Sequence, residues 1–327
     1  MLIRFYKSNQ TATLFSIPIL VALLWLPAWH KALLPVPDQD MPIFKLLQVL
    51  MHKLPTPLLP ILGILLVSSL AILLNFLVNE FEVLYKKAHL TSLFFVLLAS
   101  ALPSNMVLSP ALFASLILVF VLGRIFQLYK NDSALPITFE LGFLIAIATL
   151  IYYPSLVFLL LLFIALIILR PFVWREWISP LIGFALPFAF LGLYYYWFDR
   201  MDQFIAVFAN RSIAWDDIRQ RLHLSMPELV FLGCIGLLAL LSINKIIGNF
   251  FRNVIRTRNY QQVLLGMLFV AFLPLLFFSS VRQEILIIVA IPLSVFLGFY
   301  FMVAKRLWLM ELVFIGLIGT YVFLHLH

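Results

Sequence analysis

The stretch from residue 57 to residue 79, PLLPILGILLVSSLAILLNFLVN, carries no charged side chain; the nearest are Lys53 before it and Glu80 after it. At 1.5 Å per residue, a helix over this run reaches across the roughly 30 Å of hydrocarbon in a bilayer. It has no polar face to turn toward water. Comparable runs recur to the end of the chain. Of 327 residues, 64% are hydrophobic and only 11% are charged, with a mean hydropathy of +1.10, whereas a soluble domain carries about a quarter charged residues. This composition excludes a single soluble globule and predicts a polytopic membrane protein. Cys234 is the one cysteine and lies inside an apolar run, which excludes a disulfide framework and multi-cysteine metal or redox motifs.

Reading the apolar runs against the charged islands between them predicts an all-α transmembrane bundle of about eleven spans, within a range of nine to eleven. The segments are 13–29, 57–79, 90–103, 111–128, 138–153, 155–169, 178–198, 227–243, 261–279, 284–303 and 307–326. The third to sixth are short for a crossing and are interrupted by Pro103, Pro110 and Pro154, so tilted helices and paired half-spanning hairpins both fit. The expectation is one membrane domain over 1–327.

Charge asymmetry orients the bundle. With the amino terminus in the cytoplasm, Lys31, Lys45, Lys53, Arg200, Arg211, Arg219, Arg221 and Arg282 fall outside and the other fourteen of the 22 lysines and arginines fall inside. Eight of the 14 acidic residues fall outside, so the formal net charge of +8 lies wholly on the inner side. The positive-inside rule therefore predicts a cytoplasmic amino terminus and a carboxyl terminus on the outer side. Excess cations beside anionic headgroups account for the basic balance without nucleic acid. The first span, behind Arg4 and Lys7, reads as an uncleaved signal anchor. Residues 244–260, with Lys245, Arg252, Arg256 and Arg258 among Phe250, Phe251 and Tyr260, are expected to lie flat on the membrane.

Two outer loops are long enough to build a site. In residues 30–56, Ile43, Leu46, Leu47, Leu50 and Met51 recur at helical spacing against Lys45, Gln48, His52 and Lys53, which predicts an amphipathic interfacial helix. Asp38 and Asp40 precede it. They can serve as an ordinary helix cap, or as a catalytic pair acting as general base or holding a divalent cation against a phosphate-bearing lipid. In residues 199–226, Arg200, Arg211, Arg219 and Arg221 suit a phosphate, with Asp199, Asp202, Trp215 and His223 as supporting residues and Trp215 and Phe208 able to stack on a sugar. An interfacial helix whose acids and arginines satisfy one another fits the same residues.

Within the spans, charged groups are few, which weighs against ion-driven transport. Arg124, Glu140 and Glu311 lie near cytoplasmic ends, where snorkelling explains them, and Ser68, Asn75 and Gln127 suit interhelical hydrogen bonds. No Gly-x-x-x-Gly motif occurs.

The segments MLIRFYKSN at the amino terminus, LLNFLVNEFEVLYKKAHLTSLFFVLLASALPS at 73–104 and ITFELGFLIAIATLIYYPSLVFLLLLFIALIILRPFVWREWISPLIGFALPF at 137–188 resemble an uncharacterised family of polytopic inner-membrane proteins of Bacteroidota. At greater distance, the arrangement is similar to the C-type membrane glycosyltransferases, which take sugars from polyprenyl-phosphate carriers and share a seven-span module; the likeness implies such a module over about 1–226, with further spans over 227–327. A first outer loop with acids and an interfacial helix, a second after the seventh span, and the run Phe139 to Ile182 with Arg170-Pro171 at its inner turn carry that likeness. It implies Asp38 or Asp40 as base or metal ligand and Arg200 or Arg211 on the carrier phosphate. The resulting expectation is an envelope or glycolipid biogenesis protein meeting membrane lipids and a polyprenyl-phosphate-linked substrate. The rival expectation is a non-catalytic subunit packed against other inner-membrane proteins, with a lipid or solute transporter behind both.

Overall fold

The computed structural model describes residues 2–7, 10–26, 41–55, 57–84, 86–102, 105–131, 133–209, 225–249, 253–278, 281, 283–304 and 307–326. Among them are fourteen α-helices and one 3-10 turn, and no strand. The helices are α1 (Leu2–Tyr6), α2 (Thr11–Leu24), α3 (Pro42–His52), α4 (Leu58–Glu80), α5 (Leu90–Ala99), α6 (Pro110–Gln127) and α7 (Ala134–Ile151). After the 3-10 turn Tyr153–Val157 come α8 (Phe158–Leu169), α9 (Trp174–Trp197), α10 (Met201–Ala209), α11 (Met226–Asn249), α12 (Ile255–Phe277), α13 (Ile285–Val303) and α14 (Leu307–Leu326). A helix overlaps each of the eleven predicted apolar segments. Seven of them, α4, α6, α7, α9, α11, α12 and α13, are long and apolar enough to cross a membrane, and shorter apolar stretches lie in α2, α5, α14 and the turn leading through α8.

Burial follows sequence. Helix α13, ILIIVAIPLSVFLGFYFMV, is apolar on every face, and 89% of its apolar window is buried. It sits against α5, α6, α11 and α12, with Phe301 against Phe94 of α5 at 4.6 Å between ring centroids. Every residue of α5 is buried, although at ten residues it is about half the length of a crossing. Irregular backbone follows at 100–109, where the described residues are likewise buried, before Pro110 opens α6 at a position that needs no N–H. The Ser109 hydroxyl caps that helix by accepting from the Leu112 N–H at 3.3 Å. Broken backbone at this depth is tolerated because protein, not lipid, surrounds it.

Helix α9 is the opposite case, with only 17% of its window buried. Trp174 and Trp197, both exposed, stand at its two ends, about 35 Å apart along the axis, and Tyr194, Tyr196 and Phe198 widen the second aromatic band. Such girdles sit where headgroups meet hydrocarbon. The buried strip of α9 meets α7 through Gly142 and Gly183. A Cβ on Gly142 would overlap the Pro180 carbonyl, and one on Gly183 would overlap the Phe139 carbonyl, so the two backbones touch.

Residues 244–260 depart from expectation. Helix α11 continues through Lys245 to Asn249 and α12 begins at Ile255, so the described part of this island is two helix ends. The reason is Tyr260, which is buried among Phe81, Phe126 and Tyr129 and donates its hydroxyl to the Phe126 carbonyl at 2.9 Å. That anchor draws the first turn of α12 into the bundle.

Candidate functional site

The helix ends define two working surfaces. At one, which we term the basic end, the ends of α4, α6 and α8 meet the starts of α7, α9 and α12. Arg170, closing α8, pairs with Glu176 in the first turn of α9 through Nη2–Oε1 at 2.6 Å and Nε–Oε2 at 3.1 Å, and its Nη1 donates to the Asn131 carbonyl. The pair is only 13% and 9% exposed. Arg124 pairs with Glu140 at 2.9 Å and donates to Gln127 at 2.8 Å, an arrangement about 40% exposed. These acids are matched by arginines from neighbouring helices rather than by snorkelling alone.

The segment 81–89, joining α4 to α5, is clamped at the same end. Asn79 donates to the Ala88 carbonyl and accepts the Ala88 N–H, both at 3.2 Å. Thr257 and Gln261 of α12 donate to the carbonyls of Glu82 and Val83 at 3.2 and 3.3 Å, and the His89 N–H donates to the Tyr6 carbonyl at 2.9 Å. Asn75 Nδ2 meets His89 Nδ1 at 2.9 Å, which makes the ring nitrogen an acceptor and the imidazole neutral. Burial lowers the His89 pKa in the same sense. Glu82 adopts the left-handed region, φ 51°, to make the turn. So held, the segment presents Lys86 and Lys87 to a cavity of about 320 Å³ lined also by Asn79, Glu82, Asn253 and Thr257. A second cavity of about 240 Å³ shares Asn79 and Lys87 with the first and continues between Leu14 of α2 and Ile72 and Phe76 of α4. Lys7 approaches as well; burial first and the nearby Lys86 ammonium second lower its pKa.

At the other end lie the described parts of the two long loops, including α3 and α10. Helix α3 is present where predicted, with Met41 and Phe44 fully buried, and it packs on α7 while Phe44 meets Phe113 of α6 at 6.4 Å. Leu46, Val49 and Leu50 are exposed, so its apolar surface is divided between the bundle and the outside. Helix α10 lies over the same end, with Phe208 against Tyr153 just past α7 at 6.4 Å and against Phe188 of α9 at 5.8 Å. Arg200 and Asp202 are exposed at the start of α10. Asp199 has a capping role: at φ 51° it ends α9, its N–H bonding the Tyr196 carbonyl at 3.1 Å while the Arg200 N–H bonds that of Tyr195 at 2.9 Å. Asp38, Asp40, Arg211, Trp215, Arg219, Arg221 and His223 lie outside the described residues. Among the described residues no three His, Cys, Asp or Glu side chains come together to hold a metal ion.

The basic-end clamp was not singled out in the sequence, yet its signal is there. Asn75 and Asn79 near the end of α4, and Thr257 and Gln261 in the first turns of α12, are uncharged polar pairs at i, i+4, and each pair shares one helix face. No curated protein and no solved structure matches the chain. The model of a family of unknown function, DUF6427, matches residues 41–327, leaving Lys7, Leu14, Asp38 and Asp40 outside the matched stretch and Lys86, Lys87 and Arg200 inside it, and the chain belongs to that family.

Proposed function

We propose that this chain is a bacterial inner-membrane protein crossing about eleven times as one membrane domain, with a cytoplasmic amino terminus. Its outer end handles a phosphate-bearing lipid-linked substrate in envelope or glycolipid biogenesis. The observation that supports this reading is the convergence of α3 and α10 on the end of α7. Asp38 and Asp40 stand four and two residues before α3 in the sequence, and Arg200 precedes α10, so the proposal brings their carboxylates and guanidinium to one end of the bundle. In the finer form of the proposal, Asp38 or Asp40 activates a sugar acceptor or holds a divalent cation, and arginines of the second loop bind the carrier phosphate. Membranes carrying Asp38→Asn/Asp40→Asn should lose transfer from a polyprenyl-phosphate sugar while retaining the protein; undiminished transfer would overturn the catalytic reading.

Sidedness is tested separately. In a Cys234→Ala background, an impermeant maleimide added to spheroplasts should label Lys53→Cys and spare Lys130→Cys, and the reverse pattern would invert the topology. A second reading, a non-catalytic subunit of an envelope complex, is favoured by the mostly unburied apolar surface of α9. Stoichiometric crosslinking of one protein through Phe190 or Leu193, with envelope function indifferent to both aspartates, would establish it in place of the first.

A further inference from the structure

We infer that the basic end is a binding site for a membrane phospholipid: its phosphate lies between Lys86 and Lys87, a donor on its headgroup meets the carboxamides lining the two cavities, and its chains run along the groove between α2 and α4. This site is at the opposite end of the bundle from the outer loops and stands whether or not they are catalytic.

Three observations carry it. First, the two lysines are held in place rather than spread on a free loop. The backbone on either side of them is tied by Asn79 at Ala88 and by Thr257 and Gln261 at Glu82 and Val83, so less ordering is left for a ligand to impose. Lys7 adds a third ammonium close to Lys86, and cations crowded in this way favour a bound anion.

Second, both cavities contain a hydrogen-bond acceptor that lacks a donor. Asn253 uses Nδ2 on Gln261 at 2.8 Å while its Oδ1 is buried without a partner. Asn75, 2% exposed, uses Nδ2 on His89 while its Oδ1 is likewise unpartnered. A buried acceptor left unmet is costly, so a ligand bringing N–H or O–H groups is favoured over one bringing phosphate alone. Glu82 in the first cavity and Glu80 in the second ask for the same thing. A headgroup with an ammonium or hydroxyls beside its phosphate satisfies lysines, carboxylates and carboxamides together.

Third, the second cavity leads away from the charges in the direction a lipid tail would take. From Glu80 to Ile72 is about 12 Å along α4. Over that distance the lining passes from Glu80, Lys87 and His89 to Leu14, Ile72 and Phe76, with Phe76 exposed at the outer surface of the bundle. A soluble anion has no use for this groove, whereas a lipid places its polar group at one end and the start of its chains at the other.

The test is native mass spectrometry of the full-length protein, delipidated in detergent and titrated with phosphatidylethanolamine, phosphatidylglycerol or phosphatidylcholine. The first two carry headgroup donors, and the third has the phosphate without them. Phosphatidylethanolamine and phosphatidylglycerol should be retained at least about tenfold better than phosphatidylcholine, corresponding to about 1.4 kcal/mol. Lys86→Ala/Lys87→Ala should lose that retention and Lys86→Arg/Lys87→Arg should keep it. Equal retention of all three lipids by the unmodified protein would overturn the site, as would undiminished binding by a monodisperse Lys86→Ala/Lys87→Ala protein. Complete displacement of the lipid by millimolar inorganic phosphate would reassign the pocket to a soluble anion.

Discussion

Gly142→Ala is the sharpest probe of the fold, because the added methyl has nowhere to go. Its carbon would lie 2.7 and 2.8 Å from the carbonyl carbon and Cα of Pro180 and would overlap the carbonyl oxygen. These are backbone atoms of α9, so no rotamer change relieves the overlap, and α7 and α9 must part by roughly 1 Å to restore ordinary van der Waals distance. Overpacking of this kind costs about 1–3 kcal/mol. It works against a helix-propensity gain of up to about 1 kcal/mol for replacing glycine by alanine. Gly236→Ala on α11 supplies the control, since nothing lies within 4 Å of its Cβ position and only the propensity gain applies. Thermal unfolding of the purified proteins in one detergent should show Gly142→Ala at least about 2–4 °C below Gly236→Ala. Gly183→Ala strikes Phe139 across the same seam, so once the helices have parted the second alanine costs less, and the double variant should be milder than the two singles added together. Indistinguishable melting of Gly142→Ala and Gly236→Ala would refute backbone contact between α7 and α9.

Other perturbations separate interactions of different kinds. Arg170→Ala leaves Glu176 buried without its partner and should destabilise by about 3–5 kcal/mol, whereas Arg124→Ala breaks a more exposed pair and should cost under about 1 kcal/mol; chemical unfolding of both would rank them. Tyr260→Phe removes the hydroxyl that reaches the Phe126 carbonyl and should cost about 1–3 kcal/mol, with Tyr260→Ala costing more because the aromatic cluster is lost too. His89 has a lowered pKa in the folded state, so the unfolded chain binds the proton first. Its contribution is complete above the ordinary histidine value of about 6.5 and is lost as pH falls through the depressed folded value. A melting-temperature profile against pH should therefore drop on the acid side, and His89→Gln should flatten that drop.

Much of the fold is legible in the sequence, because lipid imposes few rules and charge marks their limits. Glu80, Arg170 and Lys130 sit at or just beyond helix ends, and Pro110 and Pro154 fall at breaks between helices, Pro110 opening α6 and Pro154 lying in the 3-10 turn before α8. Residues 244–260 depart from the expectation because Tyr260, counted there among aromatics facing the membrane, is buried against Phe81 and Phe126, which come from chain far away in sequence. The α7–α9 seam was hidden for a related reason. Gly142 is the one glycine of α7 and Gly183 lies nine residues from Gly192 in α9, and each of the two meets a partner's carbonyl instead of a second glycine, so a search for glycine pairs four apart passes over them. Of the candidate site, Arg200, Asp199 and Asp202 are placed together at one turn, while the basic-end clamp went unread because amides and hydroxyls attract less notice than acids and arginines.

The short, wholly enclosed α5 also has a consequence for biogenesis. Ten residues cannot hold a place across the bilayer unaided, and the irregular backbone after them cannot face lipid. The helix that covers them, α13, is made almost two hundred residues later. The amino-terminal half must therefore wait in a provisional arrangement, sheltered by the insertion machinery or by the α2 and α4 neighbours, until the carboxyl-terminal helices arrive. Chains stopped before α13 should be recognised as unfinished and degraded, even though most of their spans have already been inserted.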